Sequence, residues 1–385
     1  MSLKVSRRAM NIPPFFVMEV MRAADARADS GQTVYHMEVG QPGTGAPKGA
    51  LLAAEKALRS QRLGYTDAQG VPEIRAAIAK RYQDYYGLGV APDRVVATTG
   101  SSAAFVLAFL AAFDAGDRVA LAAPGYPCYA NILSALGIEP VFLMTAAEDR
   151  FQPTPALLDR ALKAGPIDGL IVASPSNPTG TMLGTNEFRD LAVYCQDKGI
   201  RLISDEIYHG ITYDRKADCA LKFSPGAIVI NSFSKYFSMT GWRLGWMIVP
   251  EDLSRAIECL GQNLYISPPA LAQVAGLAAL ECATELDANV AVYARNRALL
   301  LEALPRAGID RLAPADGAFY LYADISGLTN DSDAFCRAML AETGVAATPG
   351  IDFDPARGNR FMRFSFAGPT AEMEAAAQAL ADWRR

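Results

Sequence analysis

Histidine is nearly missing from this chain: 385 residues carry only His36 and His209, far apart, so the ligand spacing of a zinc site is absent. Six cysteines are present (Cys128, Cys195, Cys219, Cys259, Cys282, Cys336), but no C-x-x-C pair occurs, and most lie in the apolar surroundings typical of free buried thiols. That pattern suits a reducing compartment, and a cytoplasmic location is expected. Positive charge is short as well. A net charge of −5 excludes the clustered basic footprint that nucleic acid requires. No apolar run approaches the roughly 18 residues of a membrane span. The N-terminal segment has neither the continuous apolar core nor the small-residue cleavage site of a signal peptide. No internal repeat and no low-complexity segment interrupts the chain.

What is present is strand-helix alternation. Apolar strands are expected at Val95 to Thr98, Val119 to Ala122, Leu170 to Ala173, Leu202 to Ser204 and Ile228 to Ile230. Helical stretches such as Ser102 to Phe113, Tyr129 to Leu136 and Asn186 to Asp197 separate them, preceded by helices at Phe16 to about Ala28, Lys48 to Gln61 and Pro72 to Tyr86. Such alternation implies βαβ crossovers and an α/β fold, a three-layer α/β/α arrangement around a mostly parallel sheet. A single core stops growing near about 250 to 300 residues, so a second unit is expected. The C-terminal part supplies it: a long helical region from about Asp252 to Ala303 broken near Pro268-Pro269, strands at Ala318 to Tyr322 and Phe361 to Phe366, and a helix from Asp333 to Glu342. The expected division is a large domain over 46–282 and a smaller α+β domain made of 1–45 plus 283–385.

In an open α/β sheet the ligand lies just beyond the carboxyl ends of the strands. Each strand here is followed by polar or aromatic residues. Gly100-Ser101-Ser102 open a helix, where free N–H groups bind anions. Pro124-Gly125-Tyr126, then SPSNPTG with Asn177, then Asp205 and Tyr208, and finally Ser232, Ser234 and Lys235 follow the other four strands. Arg243 comes next, past Thr240-Gly241.

Two hydroxyls, an amine and a guanidinium at one edge fit an anionic head, such as phosphate, beside a group that reacts with a primary amine; Lys235 is the candidate nucleophile. A phosphate-bearing aromatic aldehyde would form a Schiff base with Lys235, and its ring nitrogen would need Asp205 as an anionic partner. Asn177 and Tyr208 have the groups to reach a ring hydroxyl, and Tyr126 to stack on the ring. Ser101, Ser102, Ser232, Ser234 and Arg243 would surround the phosphate. Arg363, in the apolar part of NRFMRFSFA, should point inward and would require an anion, whereas Arg360 faces the other way and is solvated. His209 reads as a structural neighbour of Tyr208.

SPSNPTG (Ser174 to Gly180), SDEIYHG (Ser204 to Gly210) and SFSKYFSMTGWRLGW (Ser232 to Trp246) resemble the motifs of class I/II aminotransferases, of the pyridoxal-phosphate fold type I superfamily; GYTDAQG and GAFYLY add to the likeness. The resemblance runs over essentially the whole length. It implies an aspartate-aminotransferase-like large domain, pyridoxal 5'-phosphate as cofactor, and ping-pong transfer of an amino group from an L-amino acid to a 2-oxo acid. By the same resemblance Lys235 is the Schiff-base lysine and proton carrier and Asp205 the ring-nitrogen partner. Asn177 and Tyr208 take the ring hydroxyl, Tyr126 lies over the ring, and Arg243 with the serines holds phosphate. Arg363 binds the substrate carboxylate, the Gly40 loop closes over that carboxylate, and Tyr65 reaches the phosphate of a neighbouring subunit in a homodimer. Dicarboxylate-specific relatives place an extra cation at positions that here are Ser102 and, near NLYISPP, Gln262. A neutral apolar or aromatic donor is therefore expected. The alternative on the same cradle is a C–S β-lyase.

Overall fold

The computed structural model describes residues 3–383. Its strands are β1 (Tyr35–His36), β2 (Val95–Thr98), β3 (Arg118–Ala123), β4 (Glu139–Met144), β5 (Gly169–Ala173), β6 (Arg201–Asp205), β7 (Ile228–Ser232), β8 (Gly245–Ile248), β9 (Arg311–Leu312), β10 (Tyr320–Asp324), β11 (Val345–Ala346), β12 (Thr348–Pro349) and β13 (Phe361–Ser365). Seven of them form the main sheet in the order β2-β8-β7-β6-β5-β3-β4, parallel except for β8, which runs against both its neighbours.

Side chains alternate across a strand, and here both faces are apolar. Ile171, Ile203, Ile228 and Ile230 pack on one side with Phe105, Phe109 and Leu133. Leu170, Val172, Leu202 and Val229 pack on the other with Ile78, Phe188 and Leu191. Burial on both faces makes the strands read as continuous apolar runs, and it gives the three-layer α/β/α architecture. A second, antiparallel sheet of order β12-β13-β10-β9 sits among C-terminal helices, with Tyr320 opposite Ser365 and Tyr322 opposite Arg363. β1 and β11 form a short parallel pair. No helix among the described residues is long and apolar enough to cross a membrane.

The main sheet has two strands beyond the five expected from sequence. β4, EPVFLM, buries only Leu143 and carries Pro140, which suits an edge and hides the strand's pattern. β8 follows the Lys235 loop so closely that it reads as that loop's end. The expected helical region from Asp252 to Ala303 is three helices, Glu251–Leu264, Ala270–Ala279 and Ala283–Arg306, so it breaks a second time at 280–282. β10 starts at Tyr320 rather than Ala318, because Ala318 has φ 57°, a left-handed conformation incompatible with a strand. The helices Pro155–Leu162 and Thr370–Asp382 are additional to the sequence reading.

One packing contact bears directly on the site. Trp246 on β8 is 1% exposed; its ring packs against Phe233 (centroids 5.1 Å apart) and Phe237 (6.3 Å), and its indole N–H donates to the Tyr82 hydroxyl at 3.1 Å. Those phenylalanines flank Lys235. Trp246→Ala is therefore expected to lower unfolding free energy by about 3–5 kcal/mol, read by urea titration.

Candidate active site

A cavity of about 260 Å³ opens at the carboxyl ends of β5, β6 and β7. Lys235 projects into it from the turn after β7, and its ammonium donates to the Gly40 carbonyl at 2.5 Å, 6.0 Å from the centre of the Tyr208 ring. Burial, and then the guanidiniums of Arg363 and Arg243, push the lysine pKa down to about 8 against the opposing pull of Asp205.

Asp205 closes β6 and is 5% exposed. The Tyr129 hydroxyl donates to its Oδ2, and the Ile207 N–H donates to Oδ1 at 3.0 Å. Burial raises its pKa to about 6, while Tyr129, Ile207 and Lys235 favour the ionised form. An anion is thus available at pH 7. Behind it, Glu206 is wholly buried; it accepts from the Ala220 N–H at 2.8 Å and the Ser204 hydroxyl at 3.2 Å, and burial lifts its pKa to about 8. Glu206 therefore holds its proton at neutrality and leaves Asp205 as the negative group there.

The opposite end is built for an anion. The helix Ser101–Ala112 starts after Gly100 (φ 85°), and no side chain caps its first N–H groups. A Cβ at position 100 would collide with the Arg243 guanidinium, so glycine is what lets the two approach. Arg243 is itself left-handed (φ 50°), and its Nη1 donates to the Thr240 carbonyl at 2.7 Å. Ser101, Ser102 and Ser234 line the same end. Ser232 does not: its hydroxyl lies 2.8 Å from Ser234 Oγ and 3.1 Å from the Leu244 carbonyl, so it braces Ser234 from behind instead of facing the cavity.

Arg363 enters from β13 and is 3% exposed. It donates to Asn177 Oδ1 at 2.8 Å, the Glu38 carbonyl at 2.5 Å and Thr348 Oγ1 at 3.3 Å, all neutral oxygens, and its Nε has no partner among the described residues. A buried cation so placed calls for an anion. Arg360 is exposed as expected, but it lies in a 3-10 turn that ends before β13 and not on the opposite face of that strand.

Tyr126, Asn177 and Tyr208 line the cavity. Tyr65 does not; it is 84% exposed on the surface of this chain. Gln262 is also exposed. His209 is buried but bonds Tyr86 (2.6 Å from Nδ1) and the Ser174 carbonyl (2.9 Å from Nε2) in place of Tyr208, and burial holds its pKa down to about 4. Three contributions were missed from sequence. Tyr129 follows Tyr126 by three, one helical turn, and that spacing could have signalled its role. Tyr320 sits in the GAFYLY motif. Phe15, Val17 and Met18 wall the cavity from the N-terminal segment, which is fastened by the Phe16 and Val17 N–H groups donating to the Asp352 carboxylate at 3.2 and 3.3 Å.

The family model for aminotransferase class I and II matches residues 33–380. The chain belongs to the class I and II aminotransferases. It is 52% identical over 387 aligned positions to the valine–pyruvate aminotransferase of Mycobacterium tuberculosis, covering 100% of this chain and 99% of that one. It is 34% identical to the (5-formylfuran-3-yl)methyl phosphate transaminase of Methanocaldococcus jannaschii, covering 94% and 95%. Among solved structures it matches an aminotransferase from M. tuberculosis (TM-score 0.97, 52% identity, 99% of both chains) and the aspartate aminotransferase of Thermus thermophilus with maleate (TM-score 0.92, 30% identity, 99% of both chains).

As an aminotransferase the chain moves an amino group to a 2-oxo acid, and the family's cofactor is pyridoxal 5'-phosphate. The residues present fit that group. An uncapped helix start with a guanidinium and hydroxyls suits its phosphate, a buried carboxylate suits its ring nitrogen, and a buried amine of lowered pKa suits its aldehyde.

Only the neutral amine attacks an aldehyde, so the apo-enzyme should capture pyridoxal phosphate at a rate that rises with pH through about 8 and levels off above it. Arg363→Leu, which removes one of the two guanidiniums depressing Lys235, should move that midpoint upward. Stopped-flow absorbance across a pH series checks both.

Proposed function

We propose that this aminotransferase takes its amino group from a neutral, apolar L-amino acid of about the size of valine and gives it to pyruvate. The carrying observation is the cavity's charge: its lining cations are Lys235, Arg243 and Arg363, and each has a use without a second substrate carboxylate. Phe15, Val17, Met18, Phe105 and Ile132 add an apolar stretch to the lining. The name of the M. tuberculosis relative, valine–pyruvate aminotransferase, supports the same donor and acceptor.

When bound, the pyridoxal phosphate supplies an aldehyde that captures the donor's nitrogen and a ring that accepts the electron pair left at Cα. Everything else falls to the chain. Arg243, Ser101, Ser102 and Ser234 hold the phosphate, with Ser232 behind them, and Tyr126 packs on the ring. Asp205, kept ionised by Tyr129 and the Ile207 N–H, pairs with the ring nitrogen. Asn177 and Tyr208 face the ring hydroxyl. Arg363 grips the substrate carboxylate, with Gly40 closing over it. Lys235 takes the Cα proton on Nζ and returns it on the other side of the transfer; burial, which holds its pKa near 8, lets it serve as base and acid close to neutrality. The same reading places cofactor binding in residues 46–282 and a smaller domain in 1–45 with 283–385. It also makes the protein a cytoplasmic homodimer. Tyr65, Leu51, Leu52, Leu58, Leu264 and Ile266 are each exposed, as a contact with a second copy that brings Tyr65 to the partner's phosphate would require.

With pyruvate as acceptor, L-valine should give a kcat/KM at least roughly tenfold above L-aspartate, a difference of about 1.4 kcal/mol in transition-state binding. Faster turnover of aspartate than of valine, leucine or alanine in a coupled assay refutes the donor assignment. Tyr65→Phe should leave the protein dimeric by sedimentation equilibrium while raising the dissociation constant for pyridoxal phosphate by roughly tenfold, the loss of one hydrogen bond to a charged group; a monomeric wild type, or unchanged affinity, overturns the shared site.

A further inference from the structure

We propose that Tyr320 is a positioning residue that couples the arginine receiving the substrate carboxylate to the tyrosine facing the cofactor. The inference rests on the roles proposed above for Arg363 and Tyr208. Tyr320 opens β10 and is 1% exposed. Its hydroxyl lies 2.7 Å from the Tyr208 hydroxyl. The Arg363 guanidinium sits over its ring, 4.4 Å from the centroid, and over the Phe353 ring at 4.7 Å. The hydroxyl also fills the space against Gly40, where a Cβ would overlap it, and the carbonyl of that glycine holds the Lys235 ammonium. One phenol thus touches the carboxylate arginine, the cofactor-facing tyrosine and the loop bonded to the lysine.

The direction of the Tyr208–Tyr320 hydrogen bond follows from the cation. A guanidinium over an aromatic face draws on its electron density and makes the attached hydroxyl more acidic. Of two phenols in contact, the more acidic donates. Burial raises both and Arg363 opposes the rise at each, while their mutual hydrogen bond raises Tyr208 and lowers Tyr320. Either hydroxyl can donate across the 2.7 Å contact; once the Tyr208 proton has an acceptor in the cavity, Tyr320, whose ring carries the guanidinium, donates to the Tyr208 oxygen and, through polarisation along the chain of hydroxyls, strengthens Tyr208 as a donor. A carboxylate arriving at Arg363 neutralises the cation, weakens Tyr320 as a donor, and so weakens Tyr208. The other titratable groups around the pair are Asp205 at the end of β6, Lys235 after β7 and Tyr126 before the helix Pro127–Leu136. None of them is removed by a change at position 320.

Tyr320→Phe keeps the ring under Arg363 and deletes only the hydroxyl, so the holoenzyme should fold and retain cofactor. The readout is the pH midpoint of the bound cofactor's visible absorbance band, alone and with saturating isovalerate, an unreactive carboxylate of valine's shape. In the variant without ligand the midpoint should rise by roughly half a unit, because Tyr208 has lost its polarising donor. The additional shift produced by isovalerate should be no more than about half that in the wild type. An unchanged midpoint together with an unchanged isovalerate shift overturns the proposal and leaves Tyr320 as packing. Tyr208→Phe, run alongside, separates the two levels: it must move the midpoint by itself, and if it does not, the placement of Tyr208 against the cofactor fails and the coupling falls with it.

Discussion

A lysine ammonium sharing one cavity with a buried guanidinium, Arg363, a more exposed one, Arg243, and a buried carboxylate, Asp205, is the constraint on which the rest depends. Taking such charges out of water is expensive, and each is tolerated only because an opposite charge or a fixed dipole faces it. Here the arrangement is incomplete in the chain itself: Arg363 spends its donors on neutral oxygens, and the helix start at Ser101 is uncapped. Both features favour a negative charge, the sign of an anionic cofactor and of an anionic substrate. The lysine's lowered pKa is the visible consequence, since burial and uncompensated positive neighbours favour its neutral form.

The scaffold converts this constraint into geometry by distributing the groups over separate elements. Asp205 and Lys235 come from adjacent parallel strands, β6 and β7, whose register is locked on both faces by apolar packing. Arg363 comes from a different, antiparallel sheet, and Gly40 from a loop near the N-terminus. Asn177, on the β5 side, bonds Arg363 directly and so ties the two sheets across the cavity. No single segment holds both the Arg363 end and the Arg243 end of the cavity. Correct placement of either depends on the whole fold.

Much of this was legible in the residues. Strand ends announce themselves because a doubly buried strand is a continuous apolar run, and the abrupt change to Ser, Asp, Asn or Lys marks where it leaves the core. Asp205, Asn177, Tyr208 and Lys235 stand at or just past such changes, and Arg363 was read from its place inside an apolar strand; with Arg243, all of them line the cavity. What was not legible lacks that contrast. β4 is an edge strand with little buried surface, and β8 is a short antiparallel strand at the end of the long loop that carries Lys235 and Arg243. Phe15, Val17 and Met18 look like one apolar helix face among many, and only the long-range bond from their backbone to Asp352 turns them into a wall. Ser232 shows the converse limit: its spacing from Ser234 matches the motif, yet the strand's pleat turns its hydroxyl to the Leu244 carbonyl.

The reversed strand β8, inserted between β2 and β7, has a consequence for biosynthesis. Gly245 on β8 lies against the backbone of Gly100 and Ser101, so the helix start at Ser101 and the loop that carries Arg243, about 140 residues apart in the chain, are held together by that strand. A nascent polypeptide still short of β8 has an unfinished sheet and an anion pocket with one side missing. Cofactor capture must then wait until the ribosome has released well over half of the protein, so the vitamin meets an already assembled sheet and is not a nucleus for building it.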